Sequence, residues 1–368
     1  RAELIAALNN GVPSSTSPSN PSNTPKIIYV DGTINFNVDD NNQPLACEDY
    51  YRDGYTLEAF LETYDPAVWG REESPSGPLE DARVASAAAQ QARVRIRPGS
   101  NTTIVGVGKK ATLRGIWFDL RGSATVPRTN IIIRNLTIED TFDCFPEWDP
   151  TDGELGSWNA LYDNISLRNT ENVWIDHNTF RDKATQDEDQ PHHFGVLYQV
   201  HDGLLDITNA SDFVTVSWNR FLTHDKVSLI GSSDSAAADR GRLRVTFHHN
   251  LYDGVGQRAP RVRFGQVHIY NNYYKIERLP NYQYSWGVGI ESAIYAENNF
   301  FKTDRTVTPD QFISRLNGTA IFAAGTHVNG TAAKHLVDVV AAYNAVNGPD
   351  LSTDVGWRPS LVDGILAT

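Results

Sequence analysis

The sequence predicts an all-β chain wound as a parallel β-helix, a solenoid with looped-out insertions and a short capping helix at each end. Three observations predict it: a strand motif that recurs five times, an asparagine fixed at one place in every copy, and unequal spacing between copies. The copies are VWIDHNTF (173–180), VTVSWNRF (214–221), VTFHHNLY (245–252), VHIYNNYY (267–274) and IYAENNFF (294–301). Each opens on an aliphatic residue, with Asn five positions later and an aromatic at position seven. Starts at 173, 214, 245, 267 and 294 exclude helical arrays of fixed long period. They fit one coil per copy, with surplus residues looped out. A short β-branched strand buries its apolar face only by stacking on its neighbours. The asparagines (Asn178, Asn219, Asn250, Asn272, Asn299) fall at the turn after the strand, where Asn tolerates a left-handed backbone and its amide can bond the next Asn in a ladder.

In chain order, residues 1–9 (RAELIAALN) read as a short helix, and residues 13–25, rich in Pro, Ser and Asn, as a flexible loop. KIIYVDGTI (26–34) reads as the first strand, and residues 39–79 as loop-rich, holding Cys47 and Trp69. Near the end, Leu336, Val339, Val340 and Tyr343 recur at helical spacing behind a Thr331 cap, with Gly348 and Pro349 as the stop. Both terminal helices are expected to cover solenoid ends that would otherwise template further strands. The whole of 1–368 is expected to be one domain: an N-terminal segment 1–25, coils over 26–301 and a C-terminal packing segment 302–368.

Composition narrows the function classes. A hydrophobic fraction of 40% with 21% charged residues is that of a chain with a sizeable core, not a disordered or collagen-like one. No apolar run reaches the roughly 20 residues of a membrane span. Thirty-two basic against 45 acidic residues, net −13, oppose nucleic acid as a partner and demand a local reversal of sign for any anionic ligand. The chain contains no Met, and its N-terminus is expected to be processed or trimmed. Cys47 and Cys144 carry no zinc spacing; they read either as two buried thiols or, as we expect, as one disulfide of an exported protein.

Two features carry chemistry. Asp163, Asp202 and Asp206 sit at similar offsets ahead of consecutive copies of the motif, so stacking is expected to bring them to one face. Crowded carboxylates repel unless a cation joins them, and a flexible all-oxygen site suits Ca²⁺ better than zinc or a redox metal. The second feature is basic: residues 240–263 hold six arginines against one acid, Asp253. Arginine suits bidentate capture of carboxylate. Solvated acids and structural ion pairs are the plain alternatives for each feature. Together, calcium-collecting acids beside carboxylate-collecting arginines point to an acidic polysaccharide.

The segments NALYDNISL, VWIDHNTF, HDGLLDIT, HDKVSLIGSSDS, FHHNLY and QRAPRVRFGQVHIYNNYY resemble the pectate lyases of polysaccharide lyase family one. The resemblance extends over most of residues 25–301. It implies a right-handed parallel β-helix and calcium-dependent β-elimination of de-esterified homogalacturonan, in a secreted and monomeric enzyme. By motif position it implies Asp163, Asp202 and Asp206 as calcium ligands, and Lys226 and Arg263 as contacts to substrate carboxylate. It also implies Arg258 as the residue that abstracts the C5 proton. Asp176 and His177 match a family signature but read as structural supports. The acidic loop 187–189 reads as solvated, and most histidines as hydrogen-bonded turn residues. A pectin lyase of the same fold would lack the three acids, a non-catalytic pectin binder would leave no unsaturated product, and a hydrolase would need a paired acid and base.

Overall fold

A computed structural model describes residues 1–10, 22–276, 282–304 and 306–360. Most of the expected 13–25 loop therefore lies outside the described residues. The five motif copies stack in parallel register: Val173 pairs with Val214, Val214 with Val245, Val245 with Val267, and Val267 with Ile294. They form the middle of sheet A, which runs through nine described strands from Lys26–Val30 to Ile321–Ala324. Sheet B has eight described strands, from Arg95–Ile96 to Ile313–Leu316, and sheet C has nine, from Thr33–Asn35 to His327–Val328. One coil visits the three in turn: Ile165–Arg168 in sheet B, Thr170–Asp176 in sheet A and Thr179–Arg181 in sheet C. The architecture is the expected parallel β-helix.

Strand alternation fills the inside. Val245 and Phe247 are buried while Thr246 and His248 face outward, as the period of two requires. At the corner between sheets A and C, the aromatic of each motif stacks on the next. Phe180, Phe221, Tyr252, Tyr274 and Phe301 lie 4.4–5.1 Å apart between ring centroids, within 10° of parallel. Beside this stack runs the asparagine ladder. The Asn219 Nδ2 donates to Asn250 Oδ1 at 3.1 Å and to the Ile175 carbonyl at 2.9 Å. The same link joins Asn178 to Asn219, Asn250 to Asn272 and Asn272 to Asn299. One detail corrects the sequence reading. The left-handed residue is not the ladder Asn but its predecessor: His177, Trp218, His249, Asn271 and Asn298 hold φ of 52–55°. That residue turns the chain, which frees the Asn to point inward.

The N-terminal helix, Ala2–Leu8, buries Leu4, Ile5 and Leu8 against the core. The C-terminal helix is shorter than its periodicity predicts. It spans Val339–Val346, capped by Asp338, whose carboxylate accepts from the Ala341 amide at 2.9 Å. Ahead of it, Ala333–His335 forms a separate single turn, the Val337 amide donates to the Thr326 carbonyl of a neighbouring coil, and Leu336 is exposed. The stretch 26–34 is two strands rather than one, because Gly32 turns with φ 73° between Lys26–Val30 and Thr33–Asn35.

The longest helix, Pro78–Val94, escapes hydrophobic periodicity altogether. Its buried stripe is Ala82, Arg83, Ser86, Gln90 and Val94, mostly polar. Hydrogen bonds replace apolar contact there: Gln90 donates to the Phe142 carbonyl at 3.0 Å and accepts from the Cys144 amide at 2.9 Å. The Arg83 guanidinium donates to the Phe145 carbonyl at 2.6 Å. A second aromatic core (Tyr55, Phe60, Tyr64, Phe145, Trp148, Trp158) joins this layer to the loops of the coils. The disulfide Cys47–Cys144, with Cα atoms 5.4 Å apart, ties the two covalently.

Candidate functional site

Parallel stacking sets the site on the outer face of sheet B. Ile165 pairs with Leu205 and Ser166 with Asp206, so Asp163, just ahead of its strand, comes level with Gly203 on the next coil. The Gly203 amide donates to Asp163 Oδ1 at 2.9 Å. A side chain on Gly203 would overlap Asp206 Oδ1 and stand 2.9 Å from Asp163 Oδ1, so glycine keeps open the space between two carboxylates. Asp163, Asp202 and Asp206 line one groove of about 650 Å³. Structure thus brings the three acids together.

Their electrostatics are those of an uncompensated cluster. Burial first, then the charges of Asp206 and Asp202, push the Asp163 carboxyl well above the usual carboxylate range. Burial and Asp202 push Asp206 up to about 7. Asp163 Oδ2 accepts from Ser166 Oγ, and Asp206 Oδ1 from the Leu229 amide at 2.9 Å. The Asp202 carboxylate makes no hydrogen bond or ion pair among the described residues. Among those residues no three His, Cys, Asp or Glu groups close into a metal cage, so the acids form an open cradle rather than a preformed shell. Oxygen-only donors, a space held open by glycine and unneutralised charge together fit a hard divalent cation that completes its shell with water or ligand oxygens.

The basic segment divides in two. Arg240 pairs with Glu291 at 2.6 Å, Arg242 with Glu171 at 3.1 Å, and Arg244 with Asp212, so half of the arginines are structural. Arg258 and Arg261 pair with no carboxylate among the described residues. Burial and the adjacent Arg263 and Arg258 charges hold the Arg261 guanidinium below its usual range. Arg258 follows Gln257, the register partner of Lys226, at the corner between sheets C and B. Its φ of 58° is a left-handed conformation that a non-glycine residue adopts at a cost. Among the described residues its buried Nε has no partner, and its carbonyl accepts from the Ser228 amide at 2.7 Å, next to the Leu229 amide that holds Asp206. The Lys226 ammonium makes no hydrogen bond or ion pair among the described residues. Arg263 differs: it is buried, with Nε donating to Asp234 at 2.6 Å and Nη1 to the Gly231 carbonyl at 3.0 Å. Asn317 in turn holds Asp234 at 2.8 Å.

Other residues fall outside the groove or behind it. Asp176 is buried in sheet A, accepting from Ser217 Oγ at 2.7 Å and pairing with Arg134 at 3.1 Å, which is support. The 187–189 loop is not simply solvated, because the Asp187 carboxylate binds His201 Nδ1 at 2.7 Å. His224 is a positioning residue behind the groove. It is buried, with Nδ1 on Asp182 and Nε2 on the Asp202 carbonyl at 2.7 Å, so it fixes the backbone that carries one of the three acids. Burial pulls its ring down, but Asp182 and then Asp187 outweigh that and raise it to about 9. Asp182 offers no local signal in the sequence; only the register of Arg181 against Leu222 brings it near His224.

Comparison with known proteins agrees with this geometry. A family model described as pectate lyase matches residues 77–347. A pectate lyase of Bacillus subtilis (strain 168) is 44% identical over 348 residues, 94% of this chain and 79% of the relative. Pectate lyase E of Dickeya dadantii (strain 3937) is 40% identical over 251 residues, 66% of this chain; the chain spans 60% of that relative's length. Among solved structures, the thermostable pectate lyase PL 47 superposes with TM-score 0.90 at 48% identity, covering 98% of this chain and 85% of that one. A pectate lyase bound to a hexasaccharide superposes with TM-score 0.87 at 43% identity, over 98% and 85%. By its motif, its coils and the length of these matches, the chain belongs to the pectate lyase family.

Proposed function

We propose that the enzyme cleaves de-esterified homogalacturonan by calcium-dependent β-elimination in the sheet B groove. The observation that carries the reading is the juxtaposition of three uncompensated acids with Arg258, whose charge acts on Asp206 and which pairs with no carboxylate among the described residues; Lys226 is the register partner of Gln257, which precedes Arg258. A polymer that bears one carboxylate per sugar satisfies both. Asp163, Asp202 and Asp206 would hold a calcium ion, whose contribution when bound is Lewis-acid neutralisation of the uronate carboxylate next to the reacting carbon.

The chain's own groups do the rest. Lys226 offers an ammonium to the same or the neighbouring carboxylate. Arg263, held by Asp234 and the Gly231 carbonyl, would offer its Nη2 to substrate carboxylate. Arg258 takes the proton from C5; the C5–H electron pair becomes the C4=C5 double bond, and the C4–O4 bond breaks with its pair going to oxygen, which is protonated from solvent. Placing cations where the enolate-like charge develops lowers the barrier without reorganisation of water. A guanidinium ordinarily holds its proton beyond pH 12, so the step draws on alkaline conditions and the rate is expected to rise with pH.

The same reading takes 1–368 as one domain working as an exported monomer. It is supported by a hydrophobic core that runs from Leu4 to Leu351 and by the disulfide. Among the described residues no helix is long and apolar enough to cross a membrane. The test is the absorbance of unsaturated product formed from polygalacturonate, with calcium and then with chelator. Product that requires calcium is expected; full activity in chelator overturns the calcium role, and binding without unsaturated product overturns the elimination.

A further inference from the structure

We propose that Arg168, with Arg121 beside it, forms an additional uronate-binding position in the groove, on the opposite side of Asp206 from Arg258. The inference rests on the galacturonan reading and extends it by naming where a further sugar of the chain is gripped.

The argument starts from register. Arg121, Arg168 and Thr208 pair in one row across three neighbouring strands of sheet B, two positions beyond the row of Asp119, Ser166 and Asp206. Alternation sends Leu167 fully inside and leaves Arg168 on the outer face. Arg258, by contrast, leads into Arg261–Val262, two strands farther along the sheet from Leu205–Thr208. Arg168 therefore shares the coil of Asp163 and Arg121 lies one strand before it, whereas Arg258 lies beyond Asp206 along the solenoid axis. Arg121 and Arg168 line the same groove as Asp163, Asp202 and Asp206, together with Asn169, whose amide suits sugar hydroxyls.

Arg168 is built to be presented. Its guanidinium lies 5.8 Å from the centroid of the Trp117 ring. That ring is immobilised by burial, by a 2.7 Å hydrogen bond from Nε1 to Ser166 Oγ and by stacking on Tyr162 at 5.3 Å. The Arg168 side chain makes no ion pair or hydrogen bond among the described residues, so its forked donors are unspent. Arg121 is oriented by Asp119, which holds its Nε at 3.2 Å while the other Asp119 oxygen takes Arg97 at 2.8 Å. An orienting stack and an oriented neighbour, both facing a groove, are the parts of a bidentate carboxylate receptor. Neither arginine is needed to remove the C5 proton. Their work is to hold a carboxylate that lies beyond the reacting sugar.

The experiment is steady-state kinetics of wild type, Arg168→Ala, Arg168→Lys and Arg121→Ala on polygalacturonate and on hexagalacturonate, with calcium titrated separately. Loss of a charge-assisted pair predicts KM for hexagalacturonate raised about 10- to 100-fold in Arg168→Ala, with the change carried by KM rather than kcat. Arg168→Lys keeps the charge but loses the fork, and is expected to restore only part of the loss. Arg121→Ala, which leaves the Trp117 stack alone, is expected to raise KM several-fold and to guard against misfolding of Arg168→Ala. Half-saturating calcium is expected to stay unchanged or to fall, since the Arg168 charge acts on Asp163 and Asp206 and opposes a bound cation. A lowered calcium requirement with unaltered KM would reduce Arg168 to charge balance for the acids and overturn the proposal, as would wild-type KM in all three variants. If wild type itself neither binds nor cleaves polygalacturonate, the galacturonan reading fails, and this inference with it.

Discussion

At the corner of sheets A and C, one residue per coil makes a ladder in which like satisfies like: each Asn amide donates to the next Asn oxygen at 3.0–3.1 Å. On the outer face of sheet B the same stacking sets unlike residues in one row, Asp119, Ser166 and Asp206, with Leu229 against Arg261 farther along. The ladder closes on itself and needs no ligand. The groove leaves acids and guanidiniums that do not neutralise one another in place. The difference teaches that solenoid geometry is indifferent to chemistry: repetition at a row gives stability, and its interruption at a row gives a site.

Breaking each side should fail differently. The largest effect is expected from Arg258→Lys, which keeps the charge but alters the geometry at C5. Loss of a positioned base costs about 10²–10⁴ in rate, so kcat should fall at least about 100-fold while KM changes little. Initial rates of unsaturated product check this, and undiminished turnover would remove Arg258 from its role. Next comes the ladder. Asn250→Ala deletes its bonds to the Val216 carbonyl and Asn272 Oδ1 and strips the acceptor from the Asn219 amide. Leaving such buried groups unpaired should cost about 2–3 kcal/mol in denaturant unfolding, with kcat of the remaining folded enzyme retained. A kinetic defect without a stability loss would contradict the division of labour.

The smallest effect sharpens the comparison on a third face, the outer side of sheet A. His248 is half-buried, stacked 4.9 Å from Tyr270, and burial with the His249 charge holds it down at about 4. Its folded value lies below the ordinary 6.5, so the unfolded chain takes up a proton that the folded one refuses. Stability is therefore fully present above pH 6.5 and is lost as pH falls toward 4. His248→Gln should flatten thermal stability across that window by about 1 kcal/mol or less, since the ring is partly screened by solvent. An unchanged pH profile would show that His248 does not contribute to it.

How much of this was legible follows from which signals are local. The motif with Asn at five and an aromatic at seven is one coil's worth of sequence, so Val173, Val214, Val245, Val267 and Ile294 could be aligned before any coordinates, and the coordinates pair them in that register. Coils before Val173 are harder to see because Thr102–Gly106 and Arg128–Arg134 end in no ladder asparagine. Pro78–Val94 was invisible for a different reason: its buried face is polar and is recognised through partners far along the chain, such as Phe142 and Cys144 on Gln90. In the groove, Asp163, Asp202 and Asp206 were readable by offset. The splitting of residues 240–263 into structural and unpaired arginines was not, since Glu291, Glu171 and Asp212 reach them from other coils. Asp187 illustrates the same limit: a run of three acids reads as solvated until His201 is folded against it.

The central claim is that three stacked acids act as one cation receptor, and heat measured on titrating calcium into the substrate-free protein at pH 8 tests it most directly. The account predicts saturable binding in wild type, weakened at least about tenfold in Asp206→Asn. Wild type that binds no calcium, or an Asp206→Asn variant that binds it equally well, would contradict the claim.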